Sequence, residues 1–328
     1  MEFLIQECFN QTINKLIRKT NTKSILLAIS GGQDSYCLIK LIENLKTNYQ
    51  INSQKVKTEY IYIDHQWKID SKNQVKHIIN YIKSIQENLK VYQIQNLCVA
   101  ENKCRQFRYH TIIQHAIKYK HQIILTAHTS TDKTETFFQN LIRGTSIEGF
   151  NSLILQRKLN KNLYIVRPLI NISRENIYWI CKKFFLPIWS DVTNYNYSIE
   201  RNRIRNEMIP YLKKYFHKDI ENRIEHFLKT YYYDNEYIKQ CILKLYLNSI
   251  HPKYIALNYK KLQKQNFGIQ VKTIQFFSFH NFYIFFNEQK LTKILEIINK
   301  PRRNVYIQYK NLKFSTSNYW IYIRLSNK

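Results

Sequence analysis

Over the first two hundred positions, short apolar runs alternate with longer stretches in which apolar residues recur every three to four positions. The runs Ser24–Ile29, Glu59–Ile63, Lys90–Gln95, Gln122–Ala127 and Leu163–Arg167 read as strands. Between them, Val75–Ile85, Gln106–Lys118, Lys133–Ile142 and Arg174–Phe185 read as amphipathic helices. A strand followed by a helix, repeated, predicts an α/β fold: a parallel five-stranded sheet with helices on both faces. In such sheets ligands bind beyond the carboxyl ends of the strands. Ser30, Asp64, His128 and Arg167 all fall at those ends. After Pro210 the pattern changes. His217–Ile250 reads as one or two helices, and Ile269–Leu325 mixes aromatic strands with a helix near Leu291–Ile298. The expected organisation is a catalytic domain over residues 1–213 and a smaller α+β domain over 214–328, with Arg201–Phe216 as a helix that could bridge them. There is no internal repeat and no low-complexity linker.

Composition narrows the class. At 328 residues the chain can bury a sizeable core and still carry an appended unit. No apolar stretch approaches about 18 residues, so no membrane span is expected, and the basic N-terminus lacks the apolar core of a secretory signal. Six cysteines include no C-x-x-C pair, against a zinc ribbon, a redox pair or a disulfide framework. A reduced compartment fits. The balance of 51 Lys and Arg against 23 Asp and Glu leaves a net charge of +28, the signature of a polyanion partner. An AT-rich genome explains the abundance of Lys, Asn, Ile, Tyr and Phe, but not why Lys outruns Glu and Asp. With a fold that starts within about twenty residues of Met1 and no transit peptide expected, the composition suggests an organelle-encoded protein or an AT-rich bacterium.

Four of the five glycines sit in two motifs. The first pair lies in Ser30-Gly31-Gly32-Gln33-Asp34-Ser35, between the apolar run Ile25–Ile29 and the helical Tyr36–Ile42. A strand, a glycine turn and a helix N-terminus form an anion cradle: glycines allow positive φ and close approach, and free N–H groups, the helix dipole and two hydroxyls face the anion. No G-x-x-x-x-G-K-[ST] and no G-x-G-x-x-G occurs, which disfavours a P-loop nucleotidase and a dinucleotide site. Asp34 belongs in such a cradle only if a divalent cation bridges it to phosphates. The Ser-Gly-Gly-x-Asp-Ser pattern resembles the pyrophosphate loop of the ATP pyrophosphatases.

A second constellation runs from Thr126-Ala-His128 through Asp132 and Glu135 to Arg143-Gly144-Thr145 and Glu148-Gly149. With a helix starting near Thr131, Asp132, Glu135, Gln139 and Arg143 share one face, and His128 precedes it in the loop. Two further segments are basic: Arg105 and Arg108 lie three apart at a predicted helix start in Glu101–Tyr109, and Arg201-Asn-Arg203-Ile-Arg205 sets Arg201 and Arg205 one turn apart, able to grip successive phosphates, with Arg203 turned elsewhere.

Together with Arg167-Pro-Leu169 and Asp191-Val-Thr-Asn194, these pieces in this order resemble the tRNA(Ile)-lysidine synthase family, from about Lys23 to about Leu212. The resemblance implies a PP-loop, adenine nucleotide alpha hydrolase-like domain that takes ATP, L-lysine and the CAU-anticodon tRNA(Ile), with Mg²⁺. It implies that Ser30, Gly31, Gly32, Gln33, Asp34 and Ser35 hold ATP, that Asp34 positions the Mg²⁺, and that Asp64 lies near the adenosine. Asp132 and Glu135 would meet the ammonium of lysine or remove its proton, and His128 would orient phosphate or shuttle that proton. Arg105, Arg108 and Arg143 would pair with the lysine carboxylate, the α-phosphate or RNA; Arg143, Arg201, Arg203 and Arg205 are the expected tRNA contacts, together with the small C-terminal domain over 214–328, which the resemblance makes tRNA-binding. Four positions depart from the family: Thr129 stands where a second histidine is usual, Thr131 for an acid or amide, Lys133 for glutamine and Val192 for proline. The reading therefore rests on His128, Asp132 and Glu135. The rival readings are a tRNA thiolase with the same loop, for which only Cys98 and Cys104 are near neighbours, and a non-catalytic tRNA-binding protein. A plastid stroma, or the cytoplasm of an AT-rich bacterium, is the expected location, and a homodimer is left open.

Overall fold

A computed structural model describes residues 2–48, 56–64, 66, 71–94, 101–145, 149–150, 153–189, 196–299, 306–309 and 312–325. Contacts divide the chain into two units, Met1–Leu228 and Lys229–Lys328.

The first unit opens with α1 (Glu2–Thr20). It continues through β1 (Ser24–Ile29), α2 (Gln33–Asn48), β2 (Lys57–Asp64), α3 (Ser71–Ser84), β3 (Leu89–Gln93), α4 (Glu101–Lys118), β4 (Ile123–Thr126) and α5 (Ser130–Ile142). Next come β5 (Gln156–Lys158), β6 (Tyr164–Val166) and α6 (Arg174–Lys183), then α7 (Glu200–Arg203), one π-helical turn (Ile204–Met208) and α8 (Ile209–Tyr215). The sheet order is β3-β2-β1-β4-β6-β5. Five strands are parallel, as the alternating pattern predicts. The sheet has six strands rather than five, because β5 folds back antiparallel on β6 as a three-residue edge strand. Its Gln-Arg-Lys sequence has no apolar alternation, so no pattern announced it.

Both faces of the sheet are buried. On one, Ile25, Leu27, Ile29, Tyr60, Tyr62, Ile123 and Leu125 pack with residues of α1, α2, α3 and α6, among them Phe9, Ile13, Leu38, Ile42, Ile78 and Ile177. On the other, Leu26, Ile61, Ile63 and Ile124 pack under Ile112 and Ala116 of α4. Burial on both sides is why these strands read as continuous apolar runs. From β1 the chain runs outward to β2 and β3, then crosses back to place β4 on the other side of β1. The crevice between the carboxyl ends of β1 and β4 is thus the topological switch point, where doubly wound sheets bind ligands.

The long helix α9 (Ile220–Ser249) contains the division between the units. Sequence pattern placed the boundary at residue 213. Ile224 and Leu228, however, join Phe138, Ile204 and Ile209 in one apolar cluster, which ties the start of α9 to the first unit. The second unit is α+β. It adds β7 (Ala256–Asn258), α10 (Tyr259–Gln263), α11 (Phe267–Phe282), α12 (Glu288–Asn299), β8 (Tyr306–Tyr309), β9 (Leu312–Ser317) and β10 (Trp320–Leu325). Its four strands form an antiparallel sheet in the order β7-β10-β9-β8. Leu262, Ile274, Phe277, Leu295, Ile298, Phe314 and Ile321 fill its core. The aromatic run Phe276–Phe282 is helical, not a strand.

Candidate active site

After β1 the chain bends through Ser30–Gly32 into α2. Gly31 has φ +76°, and a Cβ there would lie 2.6 Å from Ile78 Cδ1, so the turn excludes a side chain by both backbone and space. Ser35 closes the turn. The Ser30 N–H donates to its Oγ at 2.9 Å, the two serine hydroxyls are 2.9 Å apart, and the Ser35 and Tyr36 N–H groups donate to the Gly32 carbonyl at 3.0 and 3.1 Å. Gln33 reaches across to α6, its Nε2 donating to the Arg174 carbonyl at 3.3 Å. The N-terminus of α2 thus begins directly beyond the carboxyl end of β1, the placement of an anion site.

A cleft of about 410 Å³ lies over this point. Ser30, Asp34 and Ser35 line it from the β1 side, and Thr126, Ala127, His128 and Asp132 from the β4 side. Its apolar lining is Ala28, Ile29, Ile61, Ile63, Ile112 and Ile199; Arg108, Tyr109, Arg201, Asn202 and Arg205 complete it. Burial pushes the Asp34 carboxyl up to about 6; the Asp132 charge adds to the shift, while Arg174 and Arg205 oppose it. Asp34 Oδ1 is buried and has no hydrogen-bond partner among the described residues. A hard divalent cation takes just such an oxygen, so the residues present fit Mg²⁺. Burial also lowers the pKa of His128, against the pull of Asp132 and with the repulsion of Arg167, Arg105 and Arg201, leaving a neutral imidazole whose Nδ1 is 3.0 Å from Thr126 Oγ1.

The carboxylates expected to receive a ligand are already engaged. Thr129 is the N-cap of α5 and forms a capping box with Asp132: the Thr129 N–H donates to Asp132 Oδ2 at 2.8 Å, and the Asp132 N–H returns to Thr129 Oγ1 at 3.4 Å. Threonine at this position thus starts the helix. Asp132 Oδ1 accepts from Arg201 Nη2 and, at 3.3 Å, from Arg205 Nη2. Glu135, fully buried, accepts from Arg201 Nε at 2.7 Å, from Arg205 Nε, and from Arg205 Nη2 at 3.0 Å. Burial by itself would raise the Asp132 pKa, but Arg201, the Thr129 N–H and Arg205 outweigh it and hold the carboxyl below its usual range. Two carboxylates and two guanidiniums thus form a closed quartet on the cleft wall. Arg201 and Arg205 are turned inward to this quartet, whereas the sequence pattern assigned them to tRNA phosphates.

The remaining expected residues separate by exposure. Asp64, the last residue of β2, is buried and accepts from the Ser71 hydroxyl and from the Gln66 N–H at 2.9 Å; it is not among the residues that line the cleft. The guanidiniums of Arg105 and Arg108 each lie 5.9 Å from the Tyr109 ring centre, and Arg108 lines the cleft. Arg167 is buried and donates to the Ile154 carbonyl at 3.0 Å. Arg143 and Arg203 are exposed, paired with Glu200 at 2.9 Å and Glu207 at 3.2 Å. Lys133 points away from the cleft, to Asn171 at 3.2 Å and Glu225 at 3.4 Å. The Asp191–Asn194 motif, Cys98 and Glu148 lie outside the described residues. Tyr109 and Asn202 are cleft residues to which sequence reasoning assigned no role; each sits next to an arginine it did single out.

Residues 5–212 match the model of the PP-loop domain family. The chain is 46% identical over 301 residues to a chloroplastic tRNA(Ile)-lysidine synthase of Gracilaria tenuistipitata var. liui, covering 92% of each. This chain belongs to the tRNA(Ile)-lysidine synthase family. A chloroplastic family member of Pyropia yezoensis is 32% identical and covers 98% of this chain and 95% of its own; one of Nostoc sp. is 31% identical over 86% and 85%. Among solved structures, the U34-tRNA thiolase NcsA of Methanococcus maripaludis superposes with a TM-score of 0.51 at 16% identity, over 68% of this chain and 80% of that one, a likeness of fold.

Proposed function

We propose that the protein is a ligase that joins L-lysine to C2 of the wobble cytidine in the CAU anticodon of tRNA(Ile), using ATP and releasing AMP and pyrophosphate. The observation that carries this reading is the cleft at the β1/β4 switch point, where the glycine turn, Asp34 and His128 meet in a chain of this family. The cytidine C2 oxygen attacks the α-phosphate of ATP and pyrophosphate leaves; the lysine ε-amine then attacks C2 and AMP departs. The N–H groups at the start of α2 hold the β- and γ-phosphates, where charge develops as the α–β bond breaks. Arg201 and Arg205, fixed by Asp132 and Glu135, offer their outer edges to the α-phosphate and later to AMP. Asp34 would hold Mg²⁺, which supplies charge neutralisation at the leaving phosphates. Neutral His128, a poor base in its buried, arginine-flanked position, orients a phosphate oxygen, and the ε-ammonium gives its proton to water before it attacks. The isoleucines and Tyr109 form the apolar lining for the adenosine.

Incubation with ATP, radiolabelled lysine and CAU-anticodon tRNA(Ile) is expected to leave label on RNA. Pyrophosphate release without incorporation would point to another nucleophile. The exposed Arg143 and Arg203 remain the tRNA contacts of this proposal. Arg143→Ala and Arg203→Ala should each reduce the slope of log affinity against log salt by about one, measured by filter binding at several salt concentrations; an unchanged slope removes that residue from the interface. The relatives of Gracilaria and Pyropia are chloroplastic, which supports a plastid location, and the Nostoc relative fits the bacterial alternative.

A further inference from the structure

At the opposite end of the sheet from the cleft, three ligating side chains converge that the reaction does not use. Glu59 is near the start of β2, His115 is in the last turn of α4, and His121 immediately precedes β4. His115 Nε2 is 3.2 Å and His121 Nε2 2.9 Å from the same carboxylate oxygen, Glu59 Oε2, and the two rings are near parallel at 17°, with centres 5.7 Å apart. One ligand atom from each residue falls within 4.8 Å of the others. Tetrahedral zinc with bonds of about 2.0–2.1 Å sets its ligand atoms about 3.3 Å apart, close to the 3.2 and 2.9 Å between the two imidazoles and the carboxylate oxygen.

We propose that Glu59, His115 and His121 form a divalent-cation site of the zinc class, two imidazole Nε2 atoms and one carboxylate with the fourth position open. The outer shell is of the right kind. His115 Nδ1 is 2.9 Å from Tyr92 Oη and His121 Nδ1 is 2.7 Å from Ser24 Oγ. Hydroxyls donate or accept, so each can accept the Nδ1–H of an imidazole that ligates through Nε2, fixing its tautomer and orientation. The imidazoles are buried, His115 completely, while Glu59 keeps 18% exposure and gives an entering ion a path and a water ligand. Without an ion, one carboxylate oxygen accepts from both imidazole Nε2–H groups; when an ion takes the Nε2 atoms, each imidazole keeps its proton on Nδ1, where Tyr92 Oη and Ser24 Oγ accept it.

The site's place gives it a task. It joins the C-terminal turn of α4 to the first residues of β1, β2 and β4, and the N-terminal half of α4 carries Arg108 and Tyr109 into the cleft. The six residues of β1 separate the two ends by about 20 Å. The ion is therefore structural, and bears on catalysis only through the seating of α4.

The test is metal binding by the full chain after removal of metals with a chelator. Co²⁺ is expected to bind one equivalent with the visible d–d bands of a four-coordinate N/O site and no thiolate charge-transfer band, and Zn²⁺ to displace it. Zn²⁺ at one hundred times its Kd should raise the unfolding midpoint by about 5 °C. Glu59→Gln and His121→Gln should each lose these bands, while His110→Gln, at an exposed position of the same helix, should keep them. Absence of the bands in the wild-type chain at 100 µM Co²⁺ would overturn the proposal, as would their persistence in folded Glu59→Gln. Lysine incorporation by the wild-type chain is measured separately, so failure here leaves the proposed ligase reaction standing.

Discussion

Asp34→Asn is expected to abolish lysine incorporation, by about a thousandfold or more, while making the protein more stable. Loss of activity follows from removing the anionic oxygen beside the phosphate turn, where a carboxylate and its cation neutralise the departing pyrophosphate. The gain in stability follows from the same burial. The folded carboxyl has its pKa raised from 3.8 to about 6. Below 3.8 both folded and unfolded chains hold the proton and burial costs nothing; between 3.8 and 6 the unfolded chain loses it first, and stability falls as pH rises; above 6 the full penalty is present. At 1.36 kcal/mol per pKa unit the penalty is about 2–3 kcal/mol. Asparagine removes it. Urea unfolding at pH 8 should show the variant more stable by about that amount, with the gain narrowing toward pH 5. Equal stability at both pH values would mean that the carboxyl is not held in a desolvated site. Unchanged tRNA affinity separates the chemical role from a structural one.

Glu135→Gln carries the second large effect. The change leaves two guanidiniums on Asp132 alone at a buried position. Removing one partner of a buried pair costs about 3–5 kcal/mol, and because Arg201 and Arg205 retain 22% and 18% exposure, the lower figure of about 3 kcal/mol is expected by urea unfolding. Activity should fall with it, since Arg201 and Arg205 lose the group that orients them. Combining Glu135→Leu with Arg205→Met replaces an ion pair by apolar contact, and should recover at least half of the stability. Activity should not return. Recovery of both would make the quartet a purely structural element; recovery of neither would locate the importance of Glu135 in contacts other than this pair.

The quartet also shows what the sequence could not read about Arg201 and Arg205, their pairing with Asp132 and Glu135. An arginine pair one helical turn apart looks alike in sequence whether it faces solvent or a buried carboxylate. Its partners here lie 66–73 positions earlier in the chain, and no local pattern couples the two segments. Packing does so: Phe138 of α5 shares an apolar cluster with Ile204 and Ile209, which sets the π-helical turn against α5 and brings the arginines to Asp132 and Glu135. Arg203, between them, stays in solvent.

By itself the amino-acid sequence determined the parallel strands, the helices between them, the phosphate turn and the family. These depend on short-range rules: apolar periodicity, the need for glycine at a positive φ, and serines five residues apart that close one turn. Tertiary structure alone decided which charges meet. It turned Arg201 and Arg205 inward, tied Asp64 to Ser71 and Gln66, added an antiparallel edge strand too short and polar to carry a signal, and gathered Glu59, His115 and His121 at the far end of the sheet. Those outcomes depend on strand order and on how helices pack across the sheet, and a charged side chain finds its partner only after the hydrophobic layers have set the distance between them.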